Sequence, residues 1–134
     1  MNRVDGCGVP CEHAHRVPIQ NPPQAHTAIL PADFADLAVF EDWMLDTWRA
    51  RYEKRLASSI DEMQALYDAM FPRLQEILDH CDAHPLDDLP DDVRNLMLLV
   101  FSLCEASLPV EAWRQPRVPD SGAADIQMAH EPRI

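Results

Sequence analysis

The prolines constrain this chain more than any other residue type. Twelve prolines occur among 134 residues, against three glycines, and they are concentrated outside the middle of the chain. Proline interrupts regular helices because it lacks an amide hydrogen and has a fixed φ angle. Several fall within residues 1–31, where no apolar periodicity links them: Pro10, Pro18, Pro22, Pro23 and Pro31. The sequence therefore predicts an extended, Pro-rich N-terminal arm over residues 1–31.

A second irregular arm is predicted at the C-terminal end, over residues 114–134, which contain Pro116, Pro119 and Pro132. Residues 32–113, between the two arms, show helical periodicity. The composition, 47% apolar and 25% charged, is typical of a globular chain. We therefore expect one helical domain, residues 32–113, with an arm at each end.

The first predicted helix covers about residues 33–57. Acidic residues fill its early turns and basic residues its last ones, as the helix macrodipole favours. Its apolar residues recur at three- or four-residue steps and form one stripe: Leu37, Phe40, Met44, Trp48, Tyr52 and Leu56.

The second predicted helix starts at Ser59, which with Glu62 has the spacing of a capping box. Apolar residues keep the helical period behind it as far as about residue 83. Pro72 lies inside this run and is expected to kink the helix, because the apolar stripe keeps its phase across the proline.

The third predicted helix starts near Pro90, which is flanked by aspartates, and runs to Leu108, just before Pro109. It is apolar on almost every side, which is typical of a buried helix. Residues 110–113 are expected to add a turn, with Trp113 packed back onto the helices. The expected fold is an all-α three-helix bundle, in which a long helical hairpin surrounds the buried third helix.

The net charge of −12 excludes whole classes of partner. Nucleic acids and anionic membrane surfaces bind through Lys and Arg, so an acidic protein repels both. A protein partner with a basic face, or a cation, is the expected complement. The first ten residues have no apolar signal-peptide region, and the longest apolar run, residues 96–101, is too short to span a membrane. We therefore expect a cytoplasmic protein with reduced thiols.

One candidate metal site lies in the N-terminal arm. Cys7, Cys11, His13 and His15 are the ligand types of tetrahedral zinc. However, all four lie within nine residues, whereas structural zinc sites usually take ligand pairs from separate elements. The alternative is an arm that holds no metal.

His80 and His84 form a second candidate metal site, since their spacing places them on one helix face. The alternative is that the helix dipole favours histidine at this C-terminus. Many aspartates and glutamates surround the pair in the sequence, and they favour the protonated imidazole, which competes with metal binding. A combined site from both histidine groups stays open.

No enzyme class is supported by the sequence. A di-iron bundle needs Glu-x-x-His on its helices, and the three predicted helices contain none. With three glycines, the sequence contains no glycine-rich phosphate-binding loop. Glu105, on the buried third helix, is expected to form a structural ion pair with an arginine of the first helix, with a catalytic role as the alternative.

The tryptophans are the candidate interface residues. Trp43 and Trp48 are five residues apart, so both cannot share the face of the apolar stripe. One of them is expected to point outward or into an arm. Trp113 is the third candidate interface residue.

The function expected from these features is that of a non-catalytic accessory subunit or adaptor. It would dock through its arms on a larger protein, as part of a hetero-oligomer. The alternative is a small metal-binding protein that holds zinc or another transition metal. An acidic inhibitor that mimics a polyanion is a third candidate.

Overall fold

The computed structural model describes residues 28–120, and every regular element within them is helical. The predicted all-α class is confirmed for this part of the chain, which contains no β-strand. It has four α-helices where the sequence predicts three. They are α1 Trp48–Ala57, α2 Ile60–Met70, α3 Leu74–Asp82 and α4 Asp91–Leu108. Most of the two predicted arms, residues 1–27 and 121–134, lies outside the described residues.

The prediction of one continuous helix over residues 33–57 is wrong. The structure instead has a 3-10 helical segment, Ala32–Trp43, then a break, and then α1. The segment is itself irregular, with non-helical dihedral angles at Phe34 and Phe40. Of the predicted stripe only Leu37 is buried in this segment, and the other two buried side chains, Phe34 and Trp43, do not belong to the stripe.

Side chains satisfy the backbone groups that the break leaves without helical partners. The Ser102 hydroxyl of α4 donates to the Trp43 carbonyl at 2.5 Å, and Nη1 of Arg51 donates to the Leu45 carbonyl at 2.7 Å. The Thr47 hydroxyl accepts from an amide in the first turn of α1 at 3.1 Å, which caps that helix. These hydrogen bonds stabilise the break relative to a continuous helix.

Ion pairs also attach the 3-10 segment and the break to the helices. Each joins an acidic residue of this region to a basic residue of another element. The pairs are Arg73–Asp36 at 3.1 Å, Lys54–Asp42, and Arg94–Asp46 at 2.8 Å. The basic residues involved are therefore engaged within the fold.

The second predicted helix is two helices. The capping box is present at its start, since the Ser59 hydroxyl and the Glu62 carboxylate each accept a hydrogen bond from the other residue's amide. Pro72 lies in a 3-10 turn, Phe71–Arg73, which separates α2 from α3. The proline thus ends the α-helical hydrogen bonding instead of only kinking one helix.

Helix α4 has the bounds that the sequence predicts and is the central element. It contacts α1, α2, α3 and the 3-10 segment, and most of its apolar residues are buried. A π-helical turn, Pro109–Trp113, adds the expected extra turn. The stretch Asp91–Trp113 is long and apolar enough to cross a membrane, with a mean hydropathy of 1.5, and half of it is buried inside the protein. Core helices of soluble proteins share these properties.

The folded part begins inside the predicted N-terminal arm. Leu30 is only 2% exposed and belongs to the core. Nδ2 of Asn95, on α4, donates to the carbonyl of Ile29 at 3.0 Å. The ring of Phe34 then packs edge-on against His80 of α3, with 5.3 Å between centroids. The N-terminal segment therefore joins the described fold beside the α3–α4 connection.

Candidate functional site

The connection between α3 and α4 carries a dense group of acidic side chains, which we call the acidic corner. It comprises Asp79, Asp82, Asp87, Asp88, Asp91 and Asp92. Helix α3 ends at Asp82, and a turn closed by the amide of Asp88 and the carbonyl of Pro85 leads on towards α4. Asp91 and Asp92 lie in the first turn of α4, where the helix dipole favours negative charge.

No lysine or arginine of the described residues forms a salt bridge with the acidic corner. Arg73 and Arg94 are the nearest basic residues in the sequence, and both pair with other acids. Arg73 binds Asp36 and Glu76, and Arg94 binds Asp46. The corner therefore presents negative charge that the described part of the fold does not neutralise.

An exposed leucine lies in the same loop. Leu86 is 62% exposed and directly precedes Asp87 and Asp88. Single exposed apolar residues are common on protein surfaces. Leu86 is thus an exposed apolar side chain within the acidic corner.

His80 and His84 lie together beside the acidic corner. Their ring centroids are 5.5 Å apart, with 44° between the planes. Nδ1 of His84 lies 3.1 Å from the carbonyl oxygen of His80. A carbonyl can only accept, so Nδ1 carries the hydrogen, and Nε2 of a neutral His84 is left as the free acceptor. Both side chains are half-buried.

The structure does not test the N-terminal metal site. Cys7, Cys11, His13 and His15 lie outside the described residues. Within residues 28–120, no group of three or more His, Cys, Asp and Glu side chains is arranged to hold a metal ion. His80 and His84 therefore stand as a pair in this part of the chain.

Glu105 forms the expected ion pair with an arginine of the first predicted helix. Its Oε2 lies 3.4 Å from Nη1 of Arg55, and its Oε1 accepts from the indole of Trp48 at 2.9 Å. Both carboxylate oxygens are thus engaged by α1. This arrangement holds α1 against α4.

Two buried arginines are a feature that sequence reasoning missed. Arg51 and Arg55 appear in the sequence only as the basic end of a helix, yet both are buried in the structure. Their guanidinium groups lie over the rings of Phe101 and Tyr52, at 5.2 and 4.6 Å. For Arg55 the available signal was Tyr52, three positions earlier on α1, because a ring at that spacing can cover an arginine. Phe101 lies on α4, so no local pattern indicated its contact with Arg51.

The structure places the three candidate interface tryptophans differently. Trp43 is buried in the core, under the ammonium group of Lys54 at 5.0 Å. Trp48 is half-buried and stacks on Tyr52. Trp113 is half-buried in the π-helical turn. The interface role of all three stays a prediction.

A partly exposed aromatic stack lies at the end of α2, between Tyr67 and Phe71 of the 3-10 turn that follows. The rings of Tyr67 and Phe71 are parallel within 12°, with 4.7 Å between centroids, and half of Phe71 is exposed. The Tyr67 hydroxyl donates to Glu111 at 2.5 Å. That carboxylate favours the protonated phenol, so it raises the pKa of Tyr67.

The two described cysteines are free thiols. Cys81 is buried, and Cys104 is at the protein surface. Burial raises the pKa of both thiols, and a neighbouring acid, Asp82 or Glu105, raises it further. A raised pKa lowers the thiolate fraction, so neither has the character of a nucleophile.

Comparison of the chain with known protein families, curated proteins and solved structures finds no match.

Proposed function

We propose that this protein is a non-catalytic accessory subunit or adaptor that docks on a larger protein with a basic face. The acidic corner carries the proposal. It combines six aspartates, an exposed leucine and no salt bridge to any described lysine or arginine. Uncompensated charge steers association with an oppositely charged surface, and desolvated apolar contact adds affinity.

The predicted arms are part of the same proposal. The N-terminal segment joins the described fold at Ile29 and Leu30, beside the acidic corner. One partner can therefore contact the arm and the corner together. Such contacts offset the backbone entropy that is lost when an arm becomes ordered. We expect the complex to be a cytoplasmic hetero-oligomer.

The test is co-purification of the tagged full chain from its own cells, followed by mass spectrometry and a binding titration with the recovered partner. Leu86→Ser combined with Asp87→Asn and Asp88→Asn should weaken binding at least tenfold, because it removes the apolar contact and two charges. Raising the salt concentration should weaken the wild-type complex as well.

A matched control likewise replaces one exposed apolar residue and two acidic residues, outside the corner. Val39 is 77% exposed, and Glu41 and Asp61 are exposed acids of other elements. Val39→Ser with Glu41→Gln and Asp61→Asn should leave the affinity nearly unchanged. Equal weakening by both triple variants, or a complex that is insensitive to salt, would contradict docking through the acidic corner.

A further inference from the structure

One apolar face of α4 is only partly covered by the rest of the described fold. Its residues recur at steps of four, three and four, which is the heptad spacing of helices that pack against each other. They are Met97, Phe101, Cys104 and Leu108, and we call them the α4 face. Met97 and Phe101 are half-buried, Cys104 is at the protein surface, and Leu108 is 54% exposed.

The α4 face carries little charge, although the chain as a whole has a net charge of −12. Glu105 is the only charged residue in the stretch 95–108, and its carboxylate is engaged by Arg55 and Trp48 of α1. Trp48 stacks on Tyr52, so aromatic rings border the face. An apolar and aromatic surface on a highly charged protein is typical of a contact with another protein chain.

The two ends of α4 carry opposite charges that the described fold does not pair. Asp91 is exposed in the first turn of the helix and belongs to the acidic corner. Arg114 and Arg117 are exposed just past the π-helical turn, and no acidic residue among residues 28–120 forms a salt bridge with either of them. Helix α4 alone is about 27 Å long, at about 1.5 Å per residue. These opposite charges are therefore too far apart to pair within one chain.

The α4 face has the spacing that a symmetric pair of antiparallel helices requires. Phe101 and Cys104 are equally far from the midpoint between residues 102 and 103, and so are Met97 and Leu108. A two-fold axis through that midpoint sets Phe101 against Cys104 of a second copy, and Met97 against its Leu108. The same patch then serves both copies, as an isologous interface demands.

Charge decides that the second copy lies antiparallel and not parallel. Asp91 and Arg114 are also equally far from the midpoint, so the acidic start of each α4 meets the basic end of the other. Antiparallel helices also align their dipoles favourably. Two parallel copies would instead bring their acidic corners together, and like charges repel.

From these observations we propose that two copies of this chain form an antiparallel dimer through the α4 face. The contact removes apolar surface from water, and the oppositely charged ends fix its direction. Docking on a larger protein is assigned to Leu86, Asp87 and Asp88 of the loop before α4, so either proposal can fail without the other.

The first test is sedimentation equilibrium of the purified full chain over a range of concentrations, with a reductant present so that no disulfide forms. We expect a reversible equilibrium between monomer and dimer. Leu108→Asp should weaken dimerisation at least about tenfold, because it places an unpaired carboxylate from each copy in the contact. Val39→Asp is the matched control, since Val39 is 77% exposed on the 3-10 segment. It adds the same charge and should change the affinity by no more than about twofold.

An exchange of charges tests the antiparallel direction. Asp91→Arg and Arg114→Asp should each weaken the dimer, because each variant sets like charges against one another. The double variant restores opposite charges and should recover most of the lost affinity. A double variant that binds no better than the two single ones would overturn the antiparallel arrangement.

Folding of each variant is checked by circular dichroism and urea unfolding. At a protein concentration below the dissociation constant of the dimer, these measurements report on the single chain. If Leu108→Asp does not fold, Leu108→Gln decides the test, because it buries an uncharged polar group at the same position. A chain that stays monomeric at every concentration would overturn the proposal. So would a dimer that Leu108→Asp and Val39→Asp weaken equally.

Discussion

At the scale of single residues, Glu105 makes the contacts that join α1 to α4. Its carboxylate accepts from Trp48 and pairs with Arg55, whose side chain is only 10% exposed. Nε of Arg55 is buried and has no hydrogen-bond partner among the described residues. Glu105 is thus the acid that compensates the buried charge of Arg55, and it holds α1 in position against α4.

Replacing Glu105 by Ala should therefore be costly. The change leaves the Arg55 guanidinium buried without its carboxylate, and we expect a loss of about 2–4 kcal/mol in the free energy of unfolding. Glu53→Ala is the control, because it breaks the exposed Arg49–Glu53 pair and should cost at most about 0.5 kcal/mol. Urea unfolding of both variants measures the difference. Similar losses would contradict the role assigned to Glu105.

The capping box of α2 makes a residue-scale prediction about pH. Two hydrogen bonds from Ser59 lower the pKa of Glu62 below its ordinary value of 4.5. The bond from the Ser59 amide contributes more than the bond from its hydroxyl. A group whose pKa is depressed by folding stabilises the fold above its unfolded pKa and loses that contribution as the pH falls through its folded pKa.

The Glu62→Gln variant tests whether stability changes with pH in this direction. The amide can still accept from the backbone, but it has no charge to lose. The wild type should therefore unfold at a higher Tm than the variant at pH 7, and the gap should close as the pH is lowered below about 4.5. Thermal unfolding across pH 3–7 measures it. A gap that stays constant or widens towards acid would contradict the prediction.

At the scale of elements, α4 supplies most of the core. It contacts the other three helices, and side chains on most of its sides are buried. An element in this position loses packing in several directions at once when a side chain is shortened.

Leu99→Ala should cost about 2–5 kcal/mol in the free energy of unfolding, because Leu99 is fully buried on this helix. Leu108→Ala is the matched control at the end of the same helix. Leu108 is 54% exposed, so its truncation should cost less than about 1 kcal/mol. Chemical denaturation distinguishes the two. Equal costs would mean that α4 is not packed as described.

At the scale of the whole molecule, the boundary of the folded part is the property most open to test. The sequence places it at residue 32, whereas Leu30 is buried and Ile29 accepts a hydrogen bond from Asn95. The residues that precede the 3-10 segment therefore contribute to stability.

Two truncated chains, beginning at residue 28 and at residue 32, measure that contribution. The shorter one lacks the buried Leu30 side chain and the carbonyl that Asn95 contacts. It should be less stable than the longer one by about 2–4 kcal/mol. Thermal and urea unfolding of the two chains give the comparison. Indistinguishable stabilities would place the boundary at residue 32 after all.

Local signals in the sequence were sufficient for several elements. The bounds of α4 follow from the acidic start at residues 91–92 and from Pro109, and the start of α2 follows from Ser59 and Glu62. The negative net charge of the chain also follows from composition alone. These features depend on residues within a few positions of one another, so a single sequence contains all that is needed.

The break between Trp43 and α1 was decided by the tertiary structure. Periodicity over residues 33–57 favours a continuous helix, but the Trp43 carbonyl is taken by Ser102, which is 59 residues away. The pairing of Glu105 with Arg55, 50 residues apart, depends in the same way on how α1 packs across α4. Helical propensity differs between residues by less than about 1 kcal/mol, so such long-range hydrogen bonds and ion pairs can outweigh it. The sequence by itself therefore determined the helical class, the central helix and the acidic surface, and only the packed structure decided where the first helix breaks and which charges are buried.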